Sequence, residues 1–389
     1  MGKGLRYWTR PNIFIHRLLL KVLQEMTARG GFAPARVWIG PVARRATGGG
    51  RYIRSIVSHS SHHFRVAPEV PELLWGIRWV GRRFPLLRWA YPGYERTVGR
   101  VRVAHVHRST LYAEAFESAG GRMPWIFTLH GITFEEYWTH NPEMARWARS
   151  SMEASLHAVK AATVATVVAR WLRDYVEERT SVTPAVTPPG VDFREIGSVT
   201  AEEFLRWSGL APGYVLWIGR LAHEKRLEWF IRLAERLRDL QFVAIANDER
   251  TRFLHLHGPR TPSNLHYFGL LPRGMVISAL HGCSVHVNTS LYEASPTTLA
   301  EAMACGKPVV APDHAGPKEV VDESQGGFTF HSRVFDDLVE QVLRALDHRE
   351  VGRRGLAFVR DRRDWRKLVG FFDKLYAELA RPSLARELN

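Results

Sequence analysis

Residues 291–312 read Leu-Tyr-Glu-Ala-Ser-Pro-Thr-Thr-Leu-Ala-Glu-Ala-Met-Ala-Cys-Gly-Lys-Pro-Val-Val-Ala-Pro, and they decide the fold. Ser295 suits an N-cap, and Pro296 suits a first helical turn, where a missing N–H costs nothing. Residues 297–304 then read as a helix stopped by Gly306 and Pro308. Val309, Val310 and Ala311 read as a short buried strand. Glu293 stands just before the helix and Glu301 eight residues on, inside it. The N–H groups at such a helix start form an anion site, here with a carboxylate on either side. That suits a ligand with phosphates in its middle and hydroxyl-rich groups at both ends, as in a nucleotide-sugar. Two solvated glutamates on a structural helix are the plainer alternative.

The second cluster lies upstream. Tyr214-Val-Leu-Trp-Ile-Gly219-Arg220-Leu-Ala-His-Glu-Lys225 gives a strand, a glycine and two cations five residues apart, entering a helix over 227–240. Cations at a helix start oppose its dipole, which disfavours a purely structural purpose. Arg offers a planar fork to phosphate oxygens and Lys a point charge. Strands at 242–246, 265–269 and 285–290 alternate with helices, among them 275–280 and 336–345. That alternation predicts an α/β, doubly wound parallel sheet.

Upstream again, residues 36–41 read as a first strand, followed by a loop ending in Gly48-Gly49-Gly50 and a helix from Arg51. Strand, glycine loop and helix let backbone approach a ligand at the carboxyl edge of a sheet. Residues 101–107 and 125–129 read as core strands; the second ends in His130-Gly131, at the edge where such sheets place ligands. His105 and His107 read as ordinary strand-end residues.

Glu293 and Glu301 with the Ala-Met-Ala-Cys-Gly-Lys-Pro-Val-Val run resemble the retaining glycosyltransferases of family 4, which have the GT-B fold: two Rossmann-like domains facing across a cleft. The resemblance is dense over 214–328, recognisable over 36–192 and absent before residue 36. It implies that Arg220 and Lys225, with the N–H groups of Thr298 and Leu299, hold the donor diphosphate beside Gly219. Glu301 would then accept the ribose hydroxyls, Glu293 would bind the transferred sugar, and His130 would meet that sugar. Gly49 and Gly50 would lie near donor and acceptor. Where the family usually carries Asn before the glycine of Val186-Thr-Pro-Pro-Gly-Val-Asp192, this chain carries Pro189. No Asp-x-Asp pair occurs, and the expectation is a nucleotide-sugar cosubstrate with no cofactor and no metal.

The expected organisation is an N-terminal helical extension (1–34), an acceptor-side domain (35–200) with a linker over 193–210, a nucleotide-sugar domain (201–365), and a last helix (366–389) crossing back to the first domain. The 389 residues carry 45% hydrophobic side chains, enough for two cores. Cys283 and Cys305 are the only cysteines, which argues against a disulfide framework. The sequence shows neither a transmembrane span nor a secretory signal.

The net charge of +15 is uneven: residues 1–100 hold 18 Lys+Arg against 4 Asp+Glu, and the rest 36 against 35. Within that basic part, residues 12–29 read as an amphipathic helix, and 72–91 interleave Trp75, Trp79, Phe84 and Trp89 with Arg78, Arg82, Arg83 and Arg88. Such a field calls for an anionic partner. The expected partners are the donor, a glycan or lipid-linked acceptor and an anionic membrane surface, with no nucleic acid. The expected location is cytoplasmic, peripheral at the inner face of the plasma membrane. Two other readings stay open: a GT-B epimerase or phosphorylase, and a non-enzymatic basic binder of membrane or nucleic acid.

Overall fold

The computed structural model describes residues 34–42, 48–68, 95–97, 99–108, 110–118, 123–139, 141–246, 253, 258 and 261–381. The expected helix over 12–29 and the aromatic-basic segment over 72–91 lie outside them. The chain divides into unit 1, residues 1–188 with 365–389, and unit 2, residues 189–364.

Unit 1 runs β1 (Arg36–Val42), α1 (Gly48–His59), β2 (His63–Pro68), β3 (Val103–His107), α2 (Thr110–Ser118), β4 (Trp125–Leu129), α3 (Pro142–Ala161), β5 (Val164–Val167), α4 (Arg170–Thr180) and β6 (Ala185–Val186). Its six strands are all parallel, in the order β2-β1-β3-β4-β5-β6. β3 and β4 are buried along their whole length, as strands covered on both faces must be. The polar members of these strands are therefore satisfied internally. His105 bonds Tyr376 Oη through Nδ1 and Thr128 Oγ1 through Nε2, both at 2.6 Å. Tyr376 belongs to the C-terminal helix Trp365–Leu379, which Ser61 anchors by donating N–H and Oγ to Asp373 at 3.2 and 3.0 Å. The Gly48-Gly49-Gly50 triplet forms the first turn of α1 rather than a loop before it.

Unit 2 opens with α5 (Phe193–Gly197) and α6 (Glu202–Ser208), where the sequence reading expects a linker. Asp192 caps α5 by accepting from Arg194 N–H at 2.9 Å, and Ile196 and Phe204 are buried in the core. Then come β7 (Val215–Gly219), a 3-10 turn (His223–Lys225), α7 (Leu227–Arg236), β8 (Phe242–Ala246), β9 (Leu265–Phe268), α8 (Arg273–Gly282) and β10 (Val285–Val287). The unit ends with α9 (Thr297–Ala304), β11 (Val309–Pro312), α10 (Ala315–Ser324), β12 (Gly327–Phe330), α11 (Phe335–Asp347) and α12 (Val351–Arg362). The sheet order is β12-β11-β10-β7-β8-β9, so the winding reverses between β7 and β10.

Successive residues of β7 feed opposite faces: Leu216 joins one buried cluster with Leu299 and Met303, while Val215 and Trp217 join another with Phe230 and Phe242. Each such large side chain contributes about 1.5–3 kcal/mol on burial. α9 has the bounds read from the sequence, but Ser295 is not its cap. Pro296 takes the N-cap position with an extended ψ of 112° and no side-chain bond, because its ring fixes φ but leaves ψ free to stay outside the helix.

Candidate functional site

Open α/β sheets bind ligands outside the carboxyl ends of their strands, where the winding reverses. In unit 2 that point lies between β7 and β10. β7 ends at Gly219, where a Cβ would stand 2.6 Å from the Trp217 indole, so only glycine lets the ring lie over the strand end. Arg220 follows, with its side chain 54% exposed and Nη2 donating to Glu224 Oε1 at 2.5 Å. The 3-10 turn then delivers Lys225, whose ammonium donates to Glu293 Oε1; both side chains are largely buried. Ser290 Oγ donates to the same carboxylate oxygen at 3.1 Å.

The two loops that carry these charges are joined by their backbones. Thr289 Oγ1 donates to the Lys225 carbonyl at 2.7 Å and accepts from Trp217 Nε1 at 3.0 Å. Leu291 N–H donates to the Glu224 carbonyl at 2.7 Å. His314 Nε2 donates to the Leu291 carbonyl at 2.6 Å. Beyond Glu293 the chain passes under Gly316, where a Cβ would lie 1.9 Å from the Ala294 carbonyl oxygen.

Glu301 is only 5% exposed, and its Oε1 accepts from Arg273 Nη2 at 2.8 Å. Arg273 also forks onto Glu195, with contacts of 3.1–3.2 Å. Burial opposes the charge on Arg273, but Glu301 and Glu195 outweigh it and raise its pKa. At the start of α9, Leu299 N–H reaches the Pro296 carbonyl at 3.3 Å, one residue after Thr298. This part of the fold therefore groups Gly219, Arg220, Lys225 and Glu293, and holds Glu301 in a separate ion-paired cluster with Arg273.

Unit 1 carries the remaining expected residues. His130 leaves β4 and shares a 2.9 Å hydrogen bond from Nε2 with Nδ1 of His107. The Tyr52 ring lies edge-on to His130 at 4.9 Å. A Cβ on Gly49 would stand 3.9 Å from His130 Nδ1 and 3.7 Å from Arg108 Cδ, so Gly49 and His130 border the same space. Gly50 is buried within α1. Burial, then the Arg108 charge, push the His130 pKa down to about 3. Burial also drives His105 and His107 well below 6.5, and the neighbouring imidazoles add to it. All three rings are neutral near pH 7, so His130 offers a hydrogen bond rather than a positive charge. His107 is thus a fully buried support for His130 and not an ordinary strand-end residue.

Sequence reasoning missed His107 and Arg273. For Arg273 there was a usable signal: a cation opening α8 opposes that helix dipole, the argument applied to Lys225. Among the described residues, no group of three or more His, Cys, Asp or Glu side chains is placed to hold a metal ion. No helix among them is long and apolar enough to cross a membrane.

The match to a known family falls within unit 2. Residues 212–348 match the family Glycosyl transferases group 1. A GDP-mannose-dependent alpha-mannosyltransferase of Mycolicibacterium smegmatis is 33% identical over 140 residues, 36% of each chain. An N,N'-diacetylbacillosaminyl-diphospho-undecaprenol alpha-1,3-N-acetylgalactosaminyltransferase of Campylobacter jejuni is 29% identical over 130 residues, 33% of this chain and 34% of that one. The chain thus spans about a third of the length of these two curated relatives. A sucrose-phosphate synthase structure from Thermosynechococcus elongatus superposes with a TM-score of 0.75 at 16% identity, covering 89% of this chain and 99% of that one. Residues 212–348 thus resemble the group 1 glycosyl transferases, and with two parallel Rossmann-like sheets and this superposition the chain has the GT-B fold.

Proposed function

We propose that the chain transfers a sugar, with retention of configuration, from a nucleoside-diphosphate sugar to a glycan or lipid-linked acceptor at a membrane surface. The observation that carries this reading is the Lys225–Glu293 contact beside Arg220, at the reversal point of the unit 2 sheet. An ammonium has three N–H donors, and one of them is engaged by Glu293. The other two, with the exposed Arg220 fork, supply what a diphosphate requires. The donor class is supported by the relative whose name specifies GDP-mannose, and a lipid-linked acceptor by the relative whose name specifies a diphospho-undecaprenol. The basic balance of the first 100 residues supports action at an anionic surface.

In the proposed reaction the bond between the anomeric carbon and the diphosphate oxygen breaks, and its electron pair leaves with the diphosphate. The acceptor oxygen bonds the anomeric carbon from the same face, and its proton passes to a diphosphate oxygen. Arg220 and Lys225 stabilise the charge that builds on the leaving group, a task worth about 10²–10³ in turnover for each well-placed donor. Glu293 holds hydroxyls of the transferred sugar while fixing Lys225. His130 donates or accepts one hydrogen bond without carrying charge. Glu301, paired with Arg273, accepts the ribose hydroxyls. Thr298 adds its main-chain N–H on the diphosphate side, while the Leu299 N–H is taken by the Pro296 carbonyl.

Calorimetric titration with UDP, GDP and their sugars tests the donor site. Micromolar binding of one nucleotide series is the expected result, and no binding by any would overturn it. Turnover of that donor only when an acceptor is added separates transfer from epimerisation.

A further inference from the structure

We infer that Arg226 is a positioning residue that holds Lys225 against Glu293, which rests on reading that pair as the diphosphate site. Arg226 sits in the left-handed backbone region, at φ 46° and ψ 51°. A residue with a Cβ avoids that region unless its surroundings impose it, and such strain collects at functional sites. Here the side chain supplies the constraint. The residue is 5% exposed; its Nε donates to the Thr289 carbonyl at 2.7 Å and its Nη1 to the Ser332 carbonyl at 2.6 Å. The guanidinium also lies 4.1 Å over the Trp229 ring.

These contacts reach three loops at the carboxyl edge of the sheet. The first is the turn that bears Lys225 itself. The second begins at Thr289, whose hydroxyl bonds the Lys225 carbonyl while its own carbonyl accepts from Arg226. That residue leads through Ser290 to Glu293. The third is the loop after β12, where Ser332 N–H donates to Asp313 Oδ1 at 3.1 Å, next to the His314 that holds Leu291. Arg226 therefore clamps the cation loop and the carboxylate loop to each other from beneath. A planar fork does this with fixed directions, which a lysine ammonium cannot reproduce.

The test is the chemical reactivity of Lys225, which reads its position without any donor. Its rate of reductive methylation is measured by mass spectrometry in the full chain and in Arg226→Gly, since glycine accepts the left-handed backbone while the whole side chain that makes the clamp is removed. Release of Lys225 from Glu293 is expected to raise the rate about tenfold. Methylguanidine at constant ionic strength is expected to reverse the rise, which a general loosening of the fold would not show. An unchanged rate, or a rise that methylguanidine leaves in place, overturns the inference. If Arg226→Gly fails to fold, Arg226→Lys is read in the same way, with a smaller rise expected and no rise overturning it. Failure of UDP and GDP to bind the unaltered chain would instead remove the donor reading, leaving the reactivity ratio to decide the positioning.

Discussion

The Lys225 ammonium donates to Glu293 Oε1 across 68 residues of sequence, and Ser290 Oγ shares that oxygen. The pair sets each partner's direction before a ligand arrives. Removing the ammonium by Lys225→Ala leaves a largely buried carboxylate without its cation and, on the proposed reading, takes the ammonium away from the diphosphate. Turnover with the best donor is expected to fall about 10²–10³ and nucleotide affinity to weaken with it. Steady-state kinetics and titration check both, and a change under threefold removes Lys225 from the site.

Arg220 differs in a useful way. Its contact with Glu224 is an exposed i,i+4 pair, which contributes well under about 1 kcal/mol to stability. Arg220→Ala should therefore leave the melting temperature nearly unchanged while turnover falls on the order of 10²–10³. A melting temperature that dropped in step with activity would mark the residue as structural.

The legible parts of the site are those encoded locally. α9 could be bounded because Gly306, at φ 71°, and Pro308 stop it within the stretch itself. The position of Arg220 and Lys225 followed from the apolar run of β7. What escaped depends on partners remote in sequence: His107 bonds His130, 23 residues on, and Arg273 bonds Glu195, 78 residues back. α5 and α6 escaped for another reason. Helices of five and seven residues hold too few turns to show an apolar period, so residues 193–210 read as a linker.

Two glycines should respond to alanine with opposite signs. At Gly316 the new methyl would meet the Ala294 carbonyl oxygen at 1.9 Å, backbone that can move only by carrying Glu293 with it. Gly316→Ala is expected to destabilise by about 1–3 kcal/mol and to weaken donor affinity. At Gly274, inside α8, nothing lies within 4 Å of such a methyl. Gly274→Ala should stabilise by about 0.5–1 kcal/mol. Thermal melts of the two variants decide it, and shifts of the same sign would refute the packing argument.

Buried histidines predict the acid limit of the fold. Burial, then Arg108, hold His130 at about 3, and burial holds His286 at about 4 despite its bond to the Leu216 carbonyl; both start from 6.5. With the folded value depressed, the unfolded chain binds the extra proton between those values and 6.5. The stabilisation is therefore complete above pH 6.5 and is lost as pH falls toward 4 and then 3. At pH 5 the cost is about 2 kcal/mol for each group, and His105 and His107 act in the same direction. Urea unfolding at pH 7.5 and pH 5 should show this loss, with His130→Asn reducing it by about 2 kcal/mol. Equal loss in the unaltered chain and in His130→Asn would mean that His130 does not remain neutral in the folded state.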